Sequence, residues 1–108
     1  MSDGILKVTL SGSMRFYKEI LETAEQMSSQ GIVVLAPFKD PRDTLSEADK
    51  ALHDRIHLEK IVMSDKLFVV NPGGYIGKAT QREINFARDI GRPVEYLVPP
   101  EKGEEQHA

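Results

Sequence analysis

Four short β-forming runs, at residues 5–10, 32–35, 66–70 and 94–98, alternate with segments whose apolar residues recur at helical spacing. This alternation constrains the fold more than any other feature. Consecutive strands joined through a helix lie parallel, and the crossover is right-handed because a right-twisted strand folds its helix back onto the sheet only in that sense. A chain of 108 residues, 40% hydrophobic and 29% charged, has material for one core. The expected architecture is one small α/β domain over residues 1–98, a doubly wound three-layer sandwich with a parallel sheet of four or five strands. Residues 99–108 have little to bury and are expected to form a flexible tail.

In chain order, the first strand runs out at Ser11-Gly12-Ser13-Met14-Arg15. Phe16, Ile20, Leu21, Ala24 and Met27 then mark a helix, with Ser13 a candidate N-cap and Gly31 its stop. Ile32-Val33-Val34-Leu35, bounded by glycine and proline, reads as a strand covered on both faces. Residues 36–44 hold two prolines and four charges, so a loop is expected there, placed to act as a mobile lid. The next helix, from about Ser46 to Met63, should turn Leu52, Ile56, Ile61 and Met63 inward. Gly91-Arg92-Pro93 stop the last helix. With strand order 2-1-3-4, as in flavodoxin-like and Rossmann-like sheets, the loops after the first and third strands flank the point where winding reverses, and open parallel sheets bind ligands there.

The stretch Asn71-Pro72-Gly73-Gly74-Tyr75-Ile76-Gly77-Lys78-Ala79-Thr80 leads from the third strand into the last helix through three glycines. Such a loop leaves backbone N–H groups bare at the positive end of a helix, where an anion can approach. Ile76, Ala79, Ala87 and Ile90 fall on one helical stripe, and the residue that should complete it is Glu83. A carboxylate on an inward face breaks the binary pattern, and such breaks mark function more often than folding. The bland alternative is a carboxylate that complements the helix dipole.

Other residues carry similar alternatives. Gly12-Ser13-Met14-Arg15 is either half of an anion site, with a guanidinium to grip phosphate, or an N-cap followed by a solvated arginine. His53 and His57 stand four apart on a helix without an evident third ligand, so no metal is expected. Asp65 could cap the turn into its strand, and Tyr75 either packs the loop or walls a planar base. Neither a Walker A sequence nor the dinucleotide glycine pattern is present, so ATP hydrolysis and hydride transfer are not indicated. Cysteine is absent, no apolar run approaches the ~20 residues of a membrane helix, and the net charge is −3. These features fit a cytoplasmic protein that binds neither nucleic-acid polymer nor membrane.

Taken together, Gly12-Ser13-Met14-Arg15, Ser64-Asp65 and Glu83-Ile84-Asn85-Phe86-Ala87 resemble the nucleoside 2-deoxyribosyltransferase superfamily, and within it the 2′-deoxynucleoside 5′-phosphate N-hydrolases. The resemblance implies cleavage or transfer at the N-glycosidic bond of a nucleoside or its 5′-monophosphate, without a cofactor, in a homodimer. It implies that Glu83 is the nucleophile, assisted by Asp65. It also implies that Gly12, Ser13, Met14 and Arg15 hold the phosphate, while Gly74, Tyr75, Gly77, Lys78 and Thr80 complete the substrate contacts. Where the family places an aspartate in the helix before the Ser-Asp pair, this chain has His57, which could serve as an acid. Where the family often has Asp or Ser six residues before the nucleophile, it has Gly77. A nucleotide-binding or sensor module of the same fold, without turnover, is the competing function, and a NAD-cleaving domain is a third.

Overall fold

The structure, a computed structural model, describes residues 4–38 and 44–100. Four strands, β1 (Lys7–Ser11), β2 (Val33–Leu35), β3 (Lys66–Val69) and β4 (Val94–Tyr96), form one parallel sheet in the order β2-β1-β3-β4. Between them run α1 (Tyr17–Ser29), α2 (Glu47–Met63) and α3 (Lys78–Asp89). The expected α/β class and strand order are therefore observed, with four strands. No helix among the described residues is long and apolar enough to cross a membrane.

Side-chain parity on the central strands separates the two helical layers. Val8 and Leu10 of β1 pack with Val70 and with Ile20 of α1, fully buried. On the opposite face, Leu67 and Val69 of β3 pack with Ile61 of α2 and with Ile84 and Ala87 of α3. Thr9 and Ser11 share this second face, because successive residues of a strand point to opposite sides. Both are completely buried, which requires partners. The Thr9 hydroxyl donates to the Lys60 carbonyl at 2.9 Å, and Ser11 enters the site described below.

Three expectations are corrected here. β2 is an edge strand with Val33 exposed, not a strand covered on both faces. α2 turns His57 and Ile61 to the sheet, whereas Leu52, Ile56 and Met63 are 49%, 43% and 65% exposed. In α3 the buried stripe is Thr80, Ile84 and Ala87, and Ala79 lies outside it. Both helices are rotated from the expected phase because their sheet-facing sides include polar residues that apolar spacing alone does not count. Most of the expected lid, residues 39–43, and the tail, residues 101–108, lie outside the described residues.

Polar ties hold the edges of the sandwich. The Arg92 guanidinium donates to the Ser64 and Val62 carbonyls at 2.9 and 2.8 Å, satisfying groups left over at the C-terminal end of α2, and to the Ile90 carbonyl at the end of α3 at 3.3 Å. Asn71, fully buried after β3, donates to the Val98 carbonyl at 2.8 Å and accepts from the Val98 N–H at 2.9 Å. Asn71→Ala leaves both Val98 groups without their partner. It should cost ~1–3 kcal/mol of unfolding free energy in denaturant titration, against near-neutrality for an exposed control such as Gln26→Ala.

Candidate functional site

The loops at the carboxyl ends of β1 and β3 diverge where the winding of the sheet reverses. Gly12 follows β1 so closely against β3 that a Cβ would stand 2.7 Å from the Val70 carbonyl oxygen, so only glycine fits there. Beyond it, the Ser13 hydroxyl accepts from the Arg15 N–H at 3.3 Å and caps a single 3-10 turn before α1. On the other side, Gly73 and Gly74 take φ of +67° and +85°, swinging the chain away before α3 begins. Gly77 is the N-cap of α3 and offers no side chain, and the first turn contains no acidic residue. That helix end is open to an anion by its own dipole.

A cavity of about 640 Å³ lies between these loops and α2. Of the sequence-derived site residues, Gly12, Ser13, Met14, His57, Tyr75, Gly77, Lys78, Thr80 and Glu83 line it. Three do not. The Arg15 guanidinium stacks on the Tyr75 ring, 4.2 Å from its centroid, and Phe16 meets the same ring edge-on at 6.1 Å. Gly74 shapes the approach without lining the cavity. Asp65 is at the opposite end of the sheet, where its carboxylate accepts from the Lys7 N–H at 2.8 Å. It ties the start of β1 to β3 and cannot reach Glu83 within this chain, because β3 itself runs between them.

Glu83 lies at the cavity floor, beside the Thr80-Ile84-Ala87 stripe, with a side chain 21% exposed. One carboxylate oxygen, Oε1, accepts from the Ser11 hydroxyl at 2.6 Å. Burial pushes its pKa up to about 7, the negative charge of Asp54 adds to that, and the Ser11 hydrogen bond and Arg82 oppose it. His57 Nε2 is 3.2 Å from Ser11 Oγ and 3.6 Å from Glu83 Oε1. Burial, reinforced by Lys60, pushes the imidazole down to about 4, so the ring is neutral at neutral pH and the contact with Glu83 is not an ion pair. A carboxyl group that titrates near neutrality inside a cleft can act as a base or nucleophile when ionised and as an acid when protonated.

Sequence reasoning passed over Ser11, which holds Glu83, and the lining residues Asp54 and Lys60. Ser11 appeared only as the end of a strand, although its parity with Thr9, opposite to Val8 and Leu10, already made it a buried polar residue on the site face. Asp54 and Lys60 flank His57 at helical spacings of three, and His53 stands one turn before it. Phe38 packs edge-on against His53 at 5.0 Å and, with Pro37 and Ile56, makes an apolar wall. This half-apolar, half-polar lining suits a flat ligand with one charged end. Among the described residues no group of His, Cys, Asp and Glu is arranged to hold a metal.

The two shifted groups predict opposite effects of pH on stability. Glu83 has a folded-state pKa above its ordinary 4.5, so its contribution is complete below that value and is lost as pH rises through about 7. His57 has a folded-state pKa below its ordinary 6.5, so its contribution is complete above that value and is lost as pH falls through about 4. Glu83→Gln should therefore gain stability over wild type as pH rises from 5 to 8, by up to ~3 kcal/mol. His57→Gln should gain in the opposite direction, toward pH 4. Chemical denaturation of the three proteins across this range measures both.

Comparison with known proteins places the fold. No protein-family model matches the chain, and no curated protein matches it. Among solved structures, one described as a conserved protein from Enterococcus faecalis V583 is similar with a TM-score of 0.60 and 21% sequence identity, over 95% of this chain and 72% of that chain. At that identity the likeness establishes the α/β architecture alone.

Proposed function

We propose that the chain cleaves or transfers at the N-glycosidic bond of a nucleoside or nucleoside 5′-monophosphate, with Glu83 as the nucleophile. The observation that carries this reading is the partly buried Glu83 carboxyl in the cavity lining, with Oε1 held by Ser11 and a pKa raised to about 7. A carboxylate in that setting is poorly solvated and more reactive than one in water. In the proposed reaction the Glu83 carboxylate forms a bond to the anomeric carbon while the bond to the base breaks, and the electron pair leaves with the base, which takes a proton from solvent. Water then hydrolyses the glycosyl ester, or a second base displaces it, by the double displacement of retaining glycosidases.

Other features support the substrate class. The apolar wall of Phe38, Pro37 and Ile56 suits the flat face of a base, and the uncapped start of α3 suits the charged end of a monophosphate. Asp54, three residues before His57, brings a second carboxylate to the wall. His57 faces Ser11 and Glu83, which gives it a part in holding the nucleophile rather than in protonating the base. Arg15 stacks on Tyr75, which lines the cavity, and would leave that ring to grip phosphate. In the same reading two copies pair, and the exposed Leu52 and Met63 of α2 are apolar surface available for this.

Two substitutions test the reading. Glu83→Gln keeps the size of the side chain and should reduce release of free base, followed by chromatography over a panel of nucleosides, monophosphates and NAD, by roughly 10³-fold or more, with ligand affinity little changed. Undiminished release would remove the covalent mechanism, and a wild type inert on the whole panel would favour a binding module without turnover. Arg15→Ala should weaken a 5′-monophosphate by ~1.5–3 kcal/mol in calorimetry while sparing the matching nucleoside. Equal losses for both ligands would remove the phosphate role.

A further inference from the structure

Three elements converge on the hydroxyl of Ser11, the last residue of β1. Its Oγ lies 2.6 Å from Glu83 Oε1 on α3 and 3.2 Å from His57 Nε2 on α2, and the residue is fully buried. The direct separation of Nε2 from Oε1, 3.6 Å, is longer than a hydrogen bond, so Ser11 is the link between the two. A hydroxyl has one proton to give and two lone pairs.

When Glu83 is ionised, the Ser11 proton points to Oε1 and only a lone pair faces His57. The ring proton must then be on Nε2, leaving Nδ1 bare. Nδ1 is buried and makes no hydrogen bond among the described residues, a condition a lone pair tolerates better than an N–H group does. When Glu83 is protonated on Oε1, its own O–H donates to Ser11 Oγ, the Ser11 proton turns to Nε2, and the ring proton resides on Nδ1. The Leu10 carbonyl favours a proton on this ring.

We propose that Ser11 is a positioning residue that couples the protonation of Glu83 to the tautomer of His57, Nε2–H with Glu83 ionised and Nδ1–H with Glu83 protonated. The protons balance: His57 loses one at one nitrogen and gains one at the other, so its charge is unchanged, and the only net exchange with solvent is the proton of Glu83. Asp54 and Lys60 face the pair from α2, with His53 on the same wall, while Lys78 and Arg82 face it from α3 and the charged residue of β1, Lys7, lies at the strand's far end. These charges set the midpoint of the change, and the hydroxyl between the two groups sets its sense. The catalytic consequence, that Oε1 is occupied and the second oxygen of Glu83 is left to attack, rests on the glycosidase reading; the coupling itself does not.

The experiment is a titration of the full chain labelled with ¹⁵N-histidine, from pH 5 to 9, with the His57 ring signals identified by their loss in His57→Gln. Wild type should show a neutral ring throughout, crossing from Nδ1–H to Nε2–H as pH rises through about 7. Ser11→Ala, with folding checked by melting temperature, should abolish that crossing, and so should Glu83→Gln, which has no carboxyl to titrate and decides the matter if Ser11→Ala does not fold. A single tautomer in wild type across the range would overturn the proposal, as would an unchanged crossing in either variant. Where base release is detectable, Ser11→Ala should lower kcat roughly 10- to 100-fold with KM little changed. A crossing in a wild type that releases no base would remove the glycosidase reading and leave the coupling standing.

Discussion

The close approach of β1 to β3 at Gly12 governs the architecture of the site. The Val70 N–H donates to the Ser11 carbonyl at 2.7 Å, and one residue later the Val70 carbonyl occupies the space a side chain on Gly12 would need. Having run side by side to this point, the two chains part, one into the turn before α1 and the other into Pro72–Gly74 on the way to α3. Because α1 covers one face of the sheet and α2 and α3 the other, the separating loops have no helix between them, and the cavity is what remains.

Burying Ser11, His57 and Glu83 together is costly, and the costs account for the electrostatics. Removing a carboxylate from water disfavours its ionised form, and removing an imidazole from water disfavours its charged form. Both groups therefore drift toward neutrality, Glu83 up to about 7 and His57 down to about 4, instead of forming the ion pair that their proximity would otherwise suggest. Ser11 gives the carboxylate a hydrogen bond that offsets part of its lost hydration. The rest of this sheet face is apolar enough for folding, with Ile61, Leu67, Val69, Ile84 and Ala87 forming a continuous cluster beneath the polar group.

Much of the site was legible in the sequence because its main-chain parts are written in local chemistry. Glycines, prolines and a serine cap announce the loops after the first and third strands, and a carboxylate near an apolar helical stripe drew attention to Glu83. The phases of the helices were not legible. Counting apolar residues put Leu52, Ile56, Ile61 and Met63 inward, but of these α2 turns only Ile61 fully to the sheet, together with His57, because Ser11 and Glu83 offer the polar surroundings that make a buried histidine tolerable. Asp65 illustrates the converse: a motif residue beside a strand, it is placed by the strand's direction at the end far from the cavity.

What the sequence alone determined is the succession of strands and helices, the parallel sheet, and the two loops that face each other. Those follow from residue periodicity, turn residues and the handedness of the crossover, each a short-range property of the chain. The tertiary structure alone decided which side chains meet: that Ser11 of β1, His57 of α2 and Glu83 of α3 share one buried hydrogen-bonded group, that Asp54 and Lys60 join its wall, and that Arg15 rests on Tyr75. The reason is physical. A helix's rotation about its own axis is set by packing against neighbours distant in sequence, here β1 and β3, and one polar residue with a buried partner is enough to turn it.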